Sequence, residues 1–388
     1  MKNWTEILLH LGEDTPLNSK PIVPPIVQSS NFGFSSVAEF RAAFKNEQAA
    51  HLYTRGNNPT VEIVRKKIAA LEGSEEALLF ASGSAAIAAA IMGQVQAGDH
   101  VVCVQKPYNW TYLLLKDYLA RFQVSCTFVD GRSIEEIAET IQPNTKVLML
   151  ESPNSLTFEV QDLKACAQLA QQHGLVSIID NSYCSPYYQN PIDYGIDLVI
   201  HSGTKYLGGH SDVVFGVVCG PKRLMQPLFH AEYMTLGACL SPHDAWLVLR
   251  SLRTLPIRLK QISATTQQVL AFLKEHPKVD YLLYPLEESF PQYELAKAQM
   301  GGAGGLFSVN FKADSIQQME AFCDSLSAVF QMAVSWGGHE ALQIPTCTFY
   351  NIEGKEPPVL PFTFVRFYIG LEEPEYLIQH LKKALELL

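Results

Sequence analysis

Between residues 76 and 200 this chain alternates short apolar, β-branched runs with helical patterns. Residues 76–80, 100–104, 146–150, 176–179 and 198–200 each have the length and composition of a buried strand. Residues 85–92 and 162–173 carry helical periodicity, and Gly174 stops the second. Strand, helix, strand at this spacing predicts an α/β fold with a mostly parallel sheet and right-handed crossovers. In an open sheet of that kind, ligands bind beyond the carboxyl ends of the strands. The residues that follow the strands are Ser82-Gly83-Ser84, Tyr108, Glu151-Ser152-Pro153, Asp180-Asn181 and Ser202-Gly203-Thr204-Lys205.

Outside that region the pattern changes. Residues 16–34 are rich in Pro, Ser and Asn, with Pro24-Pro25 at the centre, which predicts an extended arm lying on another surface. A helical stretch over 242–255 leads toward a second domain. There the glycine-rich residues 301–305 precede an alternating strand at 306–311, and 373–387 form a terminal helix. With 388 residues, more than one domain is expected: an arm over 1–55, a large domain over 56–250, and a smaller α+β domain over 251–388.

Composition removes several function classes. The net charge is −10, from 29 basic and 39 acidic residues, and no basic run appears, which argues against nucleic acid or an anionic membrane as partner. No apolar run approaches the ~18 residues of a spanning helix, and residues 1–14 lack the basic start and apolar block of a secretory signal. The eight cysteines show no C-x-x-C and read as reduced core thiols with some exposed exceptions. The histidines show no metal-ligand spacing, so no metal is expected, and His201 and His210 read as structural. A soluble cytoplasmic protein is the expectation.

The chemistry concentrates at the strand ends. Lys205 sits where an amine could form an imine with a bound aldehyde, and Ser202 and Thr204 flank it with hydroxyls suited to an anionic phosphate. Asp180 ends an apolar strand, as a partner for a protonated ring nitrogen or as a helix cap. Gly83 and Ser84 open a helix, where backbone N–H groups bind phosphate and glycine permits close approach.

The order Ser-Gly-Ser-Ala-Ala from Ser82, then Tyr108, Asp180 and Ser202-Gly203-Thr204-Lys205-Tyr206-Leu207-Gly208-Gly209-His210 resembles the pyridoxal phosphate-dependent enzymes of cysteine and methionine metabolism. That family includes cystathionine β-lyase, cystathionine γ-synthase and γ-lyase, and methionine γ-lyase. The resemblance spans residues 53–372. It implies an aspartate aminotransferase-like large domain (fold type I) that binds pyridoxal 5′-phosphate. Lys205 would hold the cofactor and later move the substrate Cα proton. Asp180 would keep the ring nitrogen protonated, Tyr108 would stack on the ring, and Gly83, Ser84, Ser202 and Thr204 would cradle the phosphate. Ser84 stands where the family usually has Met, a change that keeps the backbone donor. Tyr53 and Arg55 match a motif that reaches a neighbouring subunit's phosphate site, which implies a homotetramer with shared active sites. Arg366 matches the arginine that grips the substrate carboxylate, helped by Ser335 with Trp336 beside it.

Two segments resemble the β-lyase form: Glu151-Ser152-Pro153-Asn154-Ser155, with Ser155 where the γ branches place Asn, and Ser335-Trp336-Gly337-Gly338. Val334, Asn57-Asn58-Pro59-Thr60 and the Trp110 position do not follow that form; the first two stand closer to the γ branches. The reading is a carbon–sulfur β-lyase acting on cystathionine or a related cysteine conjugate. A γ-lyase or γ-replacement enzyme stays open beside it, and so does a catalytically silent binding relative.

Overall fold

The computed structural model describes residues 2–13, 21–354 and 356–388, so residues 16–20 of the expected arm lie outside it. Two compact units emerge. The first comprises Met1–Ser152, Gln161–Gly208 and Asp212–Thr254; the second comprises Pro153–Val160, Gly209–Ser211 and Leu255–Leu388.

Seven strands build the sheet of the first unit: β1 (Glu76–Phe80), β2 (His100–Val104), β3 (Ser125–Val129), β4 (Thr145–Glu151), β5 (Val176–Asp180), β6 (Leu198–Ser202) and β7 (Gly216–Gly220). Their order is β1-β7-β6-β5-β4-β2-β3. Every pair from β3 across to β6 is parallel; β7 alone runs antiparallel, to β6 on one side and β1 on the other. The sheet is therefore mostly parallel, as the alternation predicts. Sequence reading did not find β3 or β7.

Strand alternation then decides what faces what. Leu78 and Phe80, Val101 and Cys103, Val147 and Met149, Ile178, Leu198 and Ile200, and Val218 pack in one core with Ala86, Ala89 and Ala90 of the helix Gly83–Met92. The opposite face buries Leu79, Val102, Leu148, Ile179 and Val199. Covering both faces is what makes these strands read as continuous apolar runs. The same alternation puts Asp180 on the Ile178 face and Ser202 on the Ile200 face, the side that carries the helix Gly83–Met92. His201 points the other way and meets Glu72 of the helix Pro59–Glu72 at 2.7 Å.

Residues 21–34 carry no helix or strand; Asn31 makes an isolated bridge with Tyr53. Part of this segment lies on its own unit. Trp246 Nε1 donates to Pro24 O at 3.0 Å, Thr60 Oγ1 donates to Pro25 O at 3.1 Å, and Asn58 Nδ2 donates to Val27 O at 2.9 Å. The helix expected over 242–255 is two helices, Pro242–Leu252 and Leu255–Lys274. Pro256 explains the break: it disfavours helical geometry just before it and suits the first turn of a new helix.

The second unit holds β8 (Val279–Leu283), β9 (Leu306–Phe311), β10 (Gln331–Met332), β11 (Leu342–Pro345) and β12 (Phe364–Tyr368), ordered β10-β11-β12-β9-β8. β10 and β11 are parallel and the other pairs antiparallel. Phe307, Phe311, Phe322, Phe330 and Phe367 stack through its centre at 4.8–6.2 Å between ring centroids. The glycine tract has a packing cause at Gly305, where a Cβ would lie 2.3 Å from Ile369 O.

All eight cysteines are free thiols; six are buried and two partly so, which corrects the expectation of exposed ones. Among the described residues no helix is long and apolar enough to cross a membrane.

Candidate active site

In the first unit, the ends of β5 and β6 are tied by one hydroxyl. Ser182 Oγ donates to Asp180 Oδ1 and accepts from Ser202 N at 2.6 Å, while Ser182 N also donates to Asp180 Oδ1 at 3.0 Å. Asp180 is only 5% exposed, and its Oδ2 has no hydrogen bond among the described residues. Burial pushes its carboxyl up, opposed by the two Ser182 bonds and then by His201 and Lys205. A buried carboxylate with one unused oxygen suits a cationic N–H donor.

Lys205 lies in the turn that follows β6, with its amide donating to Ser202 O at 3.1 Å. Facing Ser202 is the start of the helix Gly83–Met92. Ser82 caps that helix by accepting from Ala85 N at 3.1 Å, and the amides of Gly83 and Ser84 have no partner among the described residues. A Cβ on Gly83 would stand 2.8 Å from Ser202 Oγ, so only glycine permits this approach. Two open N–H groups at a helix N-terminus beside a serine hydroxyl form an anion cradle. Thr204 is engaged differently: its Oγ1 donates to Phe215 O at 3.2 Å and accepts from Phe215 N at 3.0 Å, which pins the lysine turn to the residue that leads into β7.

Tyr108 is held by its backbone. Its amide donates to Glu151 Oε2 at 2.6 Å, and the side chain stays 41% exposed. Glu151 ends β4, so this carboxylate fixes the Tyr108 turn to the sheet. Tyr53 is 47% exposed, with the Arg55 guanidinium 5.6 Å from its ring centroid. No metal-binding cluster occurs among the described residues.

In the second unit, β12 presents Arg366. Its Nη1 donates to Ser155 O and its Nη2 to Ser335 O, each at 3.0 Å. Burial lowers its pKa to about 10, and no carboxylate lies within ion-pair distance among the described residues. Ser335 holds a left-handed backbone, φ 80°, beside the buried Trp336. The structure thus brings Ser155, Ser335 and Arg366 together. A partly buried guanidinium set against neutral carbonyls carries charge that a carboxylate ligand would offset.

The sequence matches the Cys/Met metabolism PLP-dependent enzyme family over residues 5–386. The chain belongs to this family. It is a pyridoxal phosphate-dependent lyase of cysteine and methionine metabolism, with fold type I, and pyridoxal 5′-phosphate is its cofactor. It is 36% identical to an L-methionine gamma-lyase of Pseudomonas putida over 384 residues, covering 97% of this chain and 96% of that protein. It is 35% identical to a cystathionine gamma-lyase of Bacillus subtilis over the whole of both chains. With cystathionine beta-lyase MetC of the same organism the identity is 34%, over 99% of this chain and 97% of that one. The open Asp180 oxygen and the Gly83–Ser202 cradle fit the cofactor's ring nitrogen and phosphate. Ser182 does not stand out in the sequence, and Glu151 stands out there only as a strand-end residue without a role. Ser182 stands two residues past Asp180, the spacing at which a hydroxyl can bond back to a strand-end carboxylate.

Proposed function

We propose that this enzyme cleaves the carbon–sulfur bond of cystathionine or a related cysteine conjugate by β-elimination, giving pyruvate, ammonia and a thiol. The observation that carries the substrate class is Arg366: a partly buried guanidinium, held by two carbonyls and with no carboxylate beside it among the described residues, fits the α-carboxylate of an amino acid.

When bound, pyridoxal phosphate supplies an electron sink for charge that develops at the substrate Cα. Lys205 would hold it through the side-chain amine and take the Cα proton. The open Asp180 oxygen would accept the ring N–H, and Ser182 keeps the carboxylate turned for that contact. The amides of Gly83 and Ser84 and the Ser202 hydroxyl would hold the phosphate, with Tyr108 covering the ring. Thr204 would act through the shape of the turn, since its hydroxyl is bound to Phe215. Ser335 and Ser155 orient Arg366, and Trp336 walls the segment beside it. Tyr53 and Arg55, exposed on their own chain, would complete the phosphate site of a neighbouring copy within a homotetramer.

Ser155 and Ser335-Trp336 support β-elimination. A second reading, γ-elimination, draws support from the L-methionine gamma-lyase relatives and from Val334, which is 81% exposed just before Ser335. It would require a further proton to leave Cβ before the group on Cγ departs. Keto acid identification after incubation with L-cystathionine separates them. Pyruvate is expected; 2-oxobutyrate would overturn the β reading and leave the γ reading standing.

A further inference from the structure

Residues Pro153–Val160 come from the middle of the chain yet belong to the second unit. They form no helix or strand. One buried amide organises them. Asn154 is 2% exposed, and its Oδ1 accepts from the amides of Leu156, Thr157 and Phe158 at 3.1, 2.9 and 3.0 Å. Its Nδ2 donates to Glu159, whose same oxygen also takes the Thr157 hydroxyl. Three amides converging on one oxygen force a tight bend, and Phe158 accordingly holds φ 64° with its side chain fully buried. A non-glycine residue keeps that conformation only where its surroundings over-determine it.

Two further contacts anchor the bend. Leu156 O accepts from Ser308 Oγ on β9 at 2.8 Å, and Val160 exchanges both backbone bonds with the Gln292 side chain. Ser155 O lies just before the first of these anchors, in the peptide unit whose N–H is that of Leu156, and receives Arg366 Nη1. The rotation of that carbonyl is thus fixed by the amides that follow it, and those amides are fixed by Asn154.

We infer that Asn154 is a positioning residue for Arg366: it sets the Ser155 carbonyl, and through it the plane in which the guanidinium meets the substrate α-carboxylate. This rests on the reading that Arg366 binds that carboxylate. A fork that grips a carboxylate through two parallel N–H groups depends on its plane, and a small tilt turns a bidentate contact into a single one. The amine end of the substrate does not depend on that plane. Loss of Asn154 should therefore weaken ligands that carry the carboxylate and spare those that lack it.

The test uses the full-length holoenzyme and two probes, L-alanine and L-alaninamide, which differ in charge at the carboxyl position. Dissociation constants are read from the cofactor absorbance. Asn154→Ala should weaken L-alanine about tenfold or more, the scale of a misplaced recognition group, and change L-alaninamide by less than about twofold. Should Asn154→Ala fail to fold, Asn154→Asp keeps the acceptor for the three amides but repels Glu159, and it should weaken L-alanine in the same selective way. Adding Glu159→Gln to Asn154→Asp exchanges donor and acceptor across the contact and should recover L-alanine affinity. Equal weakening of both probes, or no weakening of either, would overturn the positioning role. Arg366→Ala runs alongside: if it leaves L-alanine binding unchanged, the carboxylate reading of Arg366 fails; if it alone weakens L-alanine, Arg366 stands and Asn154 falls.

Discussion

Asp180 is a buried charge and Arg366 a partly buried one, and each shows what it lacks. Among the described residues, one Asp180 oxygen is satisfied by Ser182 and the other is open, while Arg366 has two carbonyls and no anion. Replacing Arg366 by Ala should cost roughly 1.5–3 kcal/mol of substrate binding, the range for a hydrogen bond to a charged group. Substrate titration checks this, and unchanged affinity would assign the carboxylate to another residue. Lys205, Asp180 and Gly83 stand out in the sequence as candidates because each follows an apolar run, where the sheet rule directs attention. Ser182 and Asn154 do not. Their roles arise from bonds to backbone groups two to four residues away, and Ser and Asn make such bonds in ordinary turns too. Thr204 stands out in the sequence as a candidate phosphate contact, but its hydroxyl bonds to Phe215, a residue eleven positions on, and that pairing has no local signal.

Elements read well where they repeat. β1, β2 and β9 fall at the expected residues, because their apolar runs are long enough to exceed the ambiguity of short segments. β7, β11 and β12 were missed for definite reasons. Glycines bound β7, a proline ends β11, and an arginine sits in the centre of β12, so each shows its strand character only through its partners. The lysine turn between β6 and β7 is the most constrained junction among these. A Cβ on Gly203 would lie 2.2 Å from the ring of Phe215, which is fully buried. Gly203→Ala should therefore lower stability by about 1–3 kcal/mol, the cost of overpacking. A thermal or denaturant melt measures it, and an unchanged midpoint would show that the turn can yield.

At the scale of the whole molecule, the helical stretch that leads out of the sheet motivates a cut near residue 250, and the two compact units divide between Thr254 and Leu255. The assignment of Pro153–Val160 and Gly209–Ser211 to the second unit was not foreseeable. Short excursions of this kind are decided by three-dimensional contacts, and no composition change marks them. The proposed sharing of active sites between copies belongs to this scale as well. Tyr53 and Arg55 are exposed on their own chain, so a site that needs them from a neighbour should be divisible. Lys205→Ala and Arg55→Ala enzymes, each inactive alone, should regain part of the activity when unfolded together and refolded as a mixture. Complete absence of recovery would place every required group within one chain.

Lys205 is proposed to carry the cofactor. Borohydride reduction of the holoenzyme followed by peptide mass analysis tests it directly. A pyridoxyl group fixed on the peptide that contains Lys205, and absent from Lys205→Ala, is the expected result. A label on another lysine, or one that persists in Lys205→Ala, would contradict it.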